Sequence, residues 1–333
     1  MKKRIRTIGI LGLGLLLFGL CSFLYLNRGL EAKILSAQLN CLPLEEGHFT
    51  NFDSLPKHIF GIGLAYAGHI NETASEFNTS QDPPVFQKAV NSITQTASSV
   101  AIPTHNQLLQ AIEEMELGLS KQIEADHPDL PALLDYEVEL AFVLLEDITA
   151  ESLQQDDYAP PVGFFIANDL SARSIAILGE GQANRYDYWG ISKSFSGFTP
   201  ASQRVWIPSE FRANAIPCIQ LQTIVNGELR QNQNTSDLIY TPLQMLQAIQ
   251  RKYPDLALKK GDWVLTGTPG GVILSTPRWL VRLANGLNMD RLDKLNNKVS
   301  ESSATQFLKP GDRVITKGVG LGQVSVSIIA GEN

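Results

Sequence analysis

The chain has 333 residues, 44% of them hydrophobic, and a formal net charge of -7. That length and apolar content can fill a real core, so disorder is not the default, and one large domain or two modest ones fit. The acidic balance disfavours nucleic acid as a partner, all the more because Lys2, Lys3, Arg4 and Arg6 gather at the amino end.

Thr7 to Leu26 carries no charge and is rich in Leu, Ile, Gly and Phe. At about 1.5 Å per residue it is long enough to cross a hydrocarbon core. A cleaved signal peptide is the alternative, but Leu24-Tyr25-Leu26-Asn27 lacks the small residues of a cutting site. The expectation is an uncleaved single-pass transmembrane helix over residues 1–27, its basic flank in the cytoplasm. The soluble part then lies on the non-cytoplasmic side, periplasmic in a bacterium. Residues 28–58 read as a tether with a small amino-terminal segment, and 59–333 as the main domain. Beyond the anchor only Cys41 and Cys218 remain, enough for at most one intrachain disulfide but read as two unpaired, partly buried thiols.

Ile59 to Ala65 reads as a buried strand, Tyr66 to Glu76 as a helix start or a loop, and Asp82 to Pro103 as strands and turns. Asn106 to Asp126 places Leu108, Leu109, Ile112, Met115, Leu119 and Ile123 at the helical period, and Pro128 and Pro131 stop it. Next comes Leu133 to Leu145, an apolar run with Asp135, Glu137 and Glu139 at alternate positions. As one strand it turns all three acids to the same face. Carboxylates in a buried strand call for a compensating cation, whereas an edge strand would simply wet them. Gly163 to Ala167 is a second short strand, and it delivers Asn168 and Asp169 at its end, with Ser171 and Arg173 following. Glu137, Glu139 and Asp169 then form a set of hard oxygen ligands without a cysteine or histidine cluster. Such a set suits Mg²⁺, with Mn²⁺ or Ca²⁺ acceptable, and not structural zinc.

Trp206-Ile207-Pro208 and Cys218 to Val225 read as further strands, and Asn226-Gly227 as a hairpin turn. Pro242 to Tyr253 reads as a short amphipathic helix. Lys260-Gly-Asp262 turns into a strand that ends in the glycine-rich loop Gly267 to Gly271. Lys309-Pro-Gly-Asp312 leads into another strand, and Gly320 to Ile329 supplies the last. The content is strand-heavy α+β, without the alternation of a doubly wound fold.

Taken in order, several segments resemble the fumarylacetoacetate hydrolase family: Gly63 to Glu72, Phe86 to Lys88, Asp135 to Ala141, Gly163 to Arg173, Lys193 to Pro200, Asn226 to Gln231 with Asn234 to Asp237, and Gly261 to Val272. The resemblance runs from about Ile59 to the carboxyl end. It implies a mixed β-sandwich roll, commonly a homodimer, with a divalent cation at its mouth and a small 2-oxo acid as substrate. Members cleave C–C bonds in acylpyruvates and related β-diketo acids, while relatives decarboxylate oxaloacetate or isomerise unsaturated dioxo acids. The expectation is a metal-dependent hydrolase of that kind, with decarboxylase or isomerase chemistry as the alternative. The family's metal carboxylates fall on Glu137, Glu139 and Asp169. Its histidine and companion acid fall on His69 and Glu72, which would activate water, and its active-site lysine falls on Lys193. Substrate-binding positions fall on Tyr66, Lys88, Arg173 and Thr268. The bland alternatives are a surface histidine and a solvent-facing lysine. Gly267 to Gly271 lacks the Gly-Lys-Ser/Thr ending of a phosphate cradle.

The chain also departs from the pattern. Ser174 stands where the family often has aspartate, and Ala176 where it has glutamine. Two stretches, near 104–130 and 275–306, read as insertions. The second contains the basic, amphipathic segments Arg278 to Leu283 and Leu287 to Leu295, which suit either a bilayer surface or the enzyme's own core. These departures keep two other readings open: a tethered binding protein for small acids without turnover, and a structural subunit of an envelope assembly.

Overall fold

The structure is a computed structural model and describes residues 39–66, 70, 82–273, 289–302 and 306–332. The long sheet forms around two apolar runs, Val138–Leu144 and Val162–Asn168, buried along their whole length. Strands covered on both faces need no polar alternation, which is why these two read as near-continuous hydrophobic sequence. They pair antiparallel from Val138 opposite Asn168 to Leu144 opposite Val162. Outward from Val138–Leu144 the sheet continues through Trp263–Leu265, Ile59–Ile62 and Val85–Lys88. Outward from Val162–Asn168 it continues through Arg204–Pro208 and Gly47–Asn51, with Thr199–Ala201 and Ile93–Gln95 attached.

A five-stranded sheet, in the order Glu228–Asn234, Gln220–Val225, Arg313–Gly318, Gly322–Ile329 and Ser98–Ala101, lies against it. Phe142, Phe164 and Ile166 from the long sheet share one buried cluster with Ile219, Leu221 and Leu321. Gly318 permits a close approach, because a Cβ there would stand 2.5 Å from the side chains of Ile166 and Ile219. The fold is therefore α+β, two packed sheets with short helices around them. At the Asn226-Gly227 hairpin both residues have positive φ, 51° and 88°, as a tight primed turn requires.

Three expectations need correcting. The run Leu133 to Leu145 is not one strand: Leu133 turns at φ 51°, Leu134–Asp135 pairs with Ser171–Ala172, and the main strand starts only at Val138. Nor is it an edge strand, since neighbours lie on both sides. The helix expected over Asn106 to Asp126 is two, His105–Met115 and Leu119–Asp126, broken at Gly118 with φ 84°. There the Glu113 carboxylate accepts from the Gly118 N–H at 3.0 Å and the Ser120 hydroxyl at 2.5 Å, fixing the corner.

Cys41 and Cys218 form a disulfide, with Cα atoms 5.0 Å apart. The cause is a long-range pairing, in which Asn40–Leu42 runs parallel to Ala215–Pro217 with Cys41 opposite Ile216. Of the two places open to the later insertion, its described part takes the protein's own core. Its helix Arg291–Glu301, capped by Asp290, buries Leu295 and packs Leu292 and Val299 on the protein's own second cluster. Arg278 to Leu283 lies outside the described residues, as do the expected anchor over Thr7 to Leu26 and most of Tyr66 to Glu76. Among the described residues no helix is long and apolar enough to cross a membrane.

Candidate active site

The break before Val138 places the acids. Asp169 donates its N–H to the Glu137 carbonyl at 2.8 Å, and the Asn168 side chain accepts from the Glu137 N–H at 3.0 Å. These two bonds tie the start of one central strand to the end of the other, and they bring Glu137, Glu139 and Asp169 together. One ligand oxygen from each lies within 4.8 Å of the others, and all three residues are buried. An ion with ligand distances of about 2.1 to 2.5 Å bridges oxygens up to roughly 4 to 5 Å apart, so three hard donors here fit Mg²⁺, Mn²⁺ or Ca²⁺.

Asp135 does not join that set. Its carboxylate accepts from the Tyr136 N–H at 2.8 Å, from the Ile273 N–H at 3.1 Å and from Arg173 Nε at 2.8 Å. A terminal nitrogen of Arg173 reaches Glu137 Oε1. Arg173 is thus a brace between Asp135 and Glu137, a partly buried side chain whose first duty in this structure is to hold carboxylates.

Two lysines complete the cluster. Lys88, last residue of its strand, donates to Asp169 and to the Phe198 carbonyl at 3.1 Å. Lys193 caps the helix Arg185–Ser192 and bridges Glu137 and Asp169, 2.6 Å from the latter. They converge because Gly190 lets that helix sit directly on the strand, where a Cβ would come 2.5 Å from the Gln87 carbonyl. Burial depresses the Lys88 pKa, and Asp169 only partly offsets it. Burial also acts against Lys193, but Asp169 and Glu137 outweigh it and the net shift is upward.

Four buried acids, Asp135, Glu137, Glu139 and Asp169, face the buried Lys88 and Lys193 and the partly buried Arg173 among the described residues. The excess falls on Glu139, which accepts the Gly267 N–H at 2.7 Å. Burial, then Asp169 and Glu137, push its pKa well above the usual carboxylate range. A bound dication would reverse the sign of the cluster and leave it suited to an anion.

Tyr66 is fully buried, and its hydroxyl has no hydrogen-bond partner among the described residues. Burial, with Glu139 next, holds its pKa well above the ordinary value. Thr268 donates to the Val138 carbonyl at 3.2 Å and accepts from Gln231 at 2.9 Å. The structure therefore brings together Glu137, Glu139, Asp169, Lys88, Lys193 and Arg173, with Tyr66 and Thr268 flanking Glu139. His69 and Glu72 lie outside the described residues. Ser174 donates to the Ala132 carbonyl at 3.1 Å, a structural bond, and Ala176 is buried. Gln231 received no role from the sequence, because the strand Glu228–Asn234 is polar almost throughout and has no alternation that marks its buried member.

A family profile described as "Fumarylacetoacetate (FAA) hydrolase C-terminal" matches residues 58–329. Oxaloacetate tautomerase YisK of Bacillus subtilis is 27% identical over 246 residues, covering 73% of this chain and 69% of that protein. The mitochondrial oxaloacetate tautomerase FMP41 of Saccharomyces cerevisiae is 28% identical, covering 67% of this chain and 84% of its own. The solved structure of a fumarylpyruvate hydrolase from Pseudomonas aeruginosa, in complex with Mn²⁺ and pyruvate, shares the fold at a TM-score of 0.52. It is 18% identical and covers 88% of this chain and 100% of that one.

Proposed function

Because the chain belongs to the fumarylacetoacetate hydrolase family, we propose that it is a divalent-cation-dependent enzyme that stabilises the enolate of a small 2-oxo acid. Its reaction, on this reading, is the keto–enol tautomerisation of oxaloacetate or a close 2-oxo dicarboxylic acid. One observation carries the proposal: three buried carboxylates within 4.8 Å of one another, two of them joined by the ammonium of Lys193. The names of two relatives from distant organisms support tautomerisation as the specific step.

A cation held by Glu137, Glu139 and Asp169 supplies Lewis acidity toward the 2-oxo group. Everything else falls to the chain's own side chains. Lys193 offsets negative charge on the substrate as an enolate develops, in a site where burial strengthens the interaction. Lys88 holds Asp169, and Arg173 holds Glu137, so neither carboxylate swings away when a ligand enters. Tautomerisation moves one proton from carbon and returns one to oxygen. By family resemblance, the carriers are His69 and Glu72, three residues apart.

That same pair favours a second reading, hydrolysis of an acylpyruvate, in which His69 directs water at the distal carbonyl. Product analysis separates the two. Purified protein with Mg²⁺ or Mn²⁺ is given enol oxaloacetate, followed by ultraviolet absorbance, and in parallel a panel of acylpyruvates, followed by pyruvate release. Accelerated enol decay without pyruvate release supports tautomerisation. Cation-dependent pyruvate release supports hydrolysis, and neither activity with any cation overturns the enolate reading.

The disulfide adds support for the expected location, because such bonds persist outside the reducing cytoplasm. We place the domain on the non-cytoplasmic side of a membrane, tethered through Thr7 to Leu26. Membrane-impermeant labelling of intact cells tests this; a domain protected from the reagent would contradict it.

A further inference from the structure

Gln231 is buried in the middle of a polar strand, 1% exposed, and all the hydrogen-bonding capacity of its amide is spent on one place. Its oxygen accepts from the Val138 N–H at 3.0 Å and the Thr223 hydroxyl at 2.8 Å. Its nitrogen donates to the Thr268 hydroxyl at 2.9 Å, the Pro269 carbonyl at 3.2 Å and the Gly270 carbonyl at 3.5 Å. The orientation of the amide is dictated chemically, because a backbone N–H can only donate and the two carbonyls can only accept.

Val138 is the residue between Glu137 and Glu139. Gln231 takes its N–H, and Thr268, itself held by Gln231, donates to its carbonyl at 3.2 Å. The loop that Gln231 grips also supplies the Gly267 N–H to Glu139 at 2.7 Å. That loop has little slack. A Cβ on Gly267 would meet the Ile62 carbonyl at 2.8 Å, and one on Gly271 the Arg230 carbonyl at 2.7 Å. Gln233, two residues along the strand, accepts the Gly270 N–H at 3.1 Å.

From this geometry we infer that Gln231 is a positioning residue for the cation: one amide fixes both the peptide between two of its ligands and the loop whose Gly267 N–H reaches Glu139. Without it the Val138 N–H and two carbonyls lose their partner in a buried place, and the loop and strand are free to shift against each other. The inference rests on the cation reading above, and its test distinguishes failure of one from failure of the other.

The test is Mn²⁺ titration of the full chain, by calorimetry or electron paramagnetic resonance, well below each variant's melting temperature. Gln231→Met keeps the shape and removes every bond, and it should weaken Mn²⁺ binding about 10- to 100-fold. Its effect on kcat should follow cation occupancy and shrink at saturating Mn²⁺. A residue with only a structural role would lower the melting temperature and leave the Kd alone, so a wild-type Kd in Gln231→Met overturns the inference. Thr223→Val is the second variant. It removes one of the two bonds to the amide oxygen, should weaken binding by a few-fold, and decides the matter if Gln231→Met does not fold. Absence of Mn²⁺ binding by the wild type overturns both readings, whereas wild-type binding with both variants unchanged overturns only this one.

Discussion

Lys193 Nζ stands 2.6 Å from Asp169 Oδ2 while also touching Glu137, so one ammonium links two of the three carboxylates that face the centre. Neither acid depends on it alone. Lys88 also reaches Asp169, and Arg173 also reaches Glu137.

This redundancy separates catalysis from folding. In Lys193→Met each carboxylate keeps a cationic partner, so the variant should fold and still bind Mn²⁺. Its kcat should fall by about 10²- to 10³-fold, the usual cost of losing one charge-stabilising donor. Steady-state kinetics beside Mn²⁺ titration check this, and an unchanged kcat would remove Lys193 from the chemistry.

Glu137→Gln should behave in the opposite way toward the cation. Arg173 retains Asp135 and Lys193 retains Asp169, so circular dichroism should stay native. Mn²⁺ affinity should drop by at least about 100-fold and activity with it. Turnover retained at wild-type Mg²⁺ concentrations would show that Glu137 is not a ligand.

Glu139 predicts a pH dependence of the metal-free protein. Its folded pKa is raised, first by burial and then by Asp169 and Glu137. Its contribution is therefore most favourable below the ordinary glutamate value of about 4.3, and it is lost as pH rises toward the folded pKa. The metal-free melting temperature of the wild type should fall relative to Glu139→Gln as pH rises from about 4.5 toward neutrality. The increment given by Mg²⁺ should grow over the same interval. Parallel melting curves for the two proteins at every pH would refute the assignment of this carboxylate as the unbalanced one.

The Cys41–Cys218 bond closes a sequence separation of 177 residues beside the pairing of Asn40–Leu42 with Ala215–Pro217, which carries none of the four clustered acids. Constraining so long a loop stabilises by on the order of 3 to 5 kcal/mol in the chain-entropy picture. Reduction, or Cys41→Ser, should lower the melting temperature by several degrees while leaving kcat at 25 °C unchanged. Identical melting with and without reductant would contradict this.

Local chemistry was readable from the sequence where it acts locally. Asn226-Gly227 announces its turn because few residues accept positive φ, and Gly163 to Ala167 announces a buried strand by its composition. Glu137, Glu139 and Asp169 were legible as a set because carboxylates in apolar runs need compensation. What was hidden depends on distant partners. Period-two alternation assigned Asp135 to the same face as the other acids, but pairing with Ser171 ends the strand there and gives Asp135 to Arg173. The Cys41 pairing relies on a strand at Ala215–Pro217, far along the chain. Gln231 sits among polar neighbours, and only the packing of the second sheet distinguishes it from them.

The central claim is that Glu137, Glu139 and Asp169 hold one divalent cation. Its most direct measurement is an anomalous difference map from crystals of the protein grown or soaked with Mn²⁺. A single strong peak in contact with one oxygen from each of the three carboxylates is expected. Crystals soaked at saturating Mn²⁺ that show no peak there, with Lys193 still bridging Glu137 and Asp169, would contradict it.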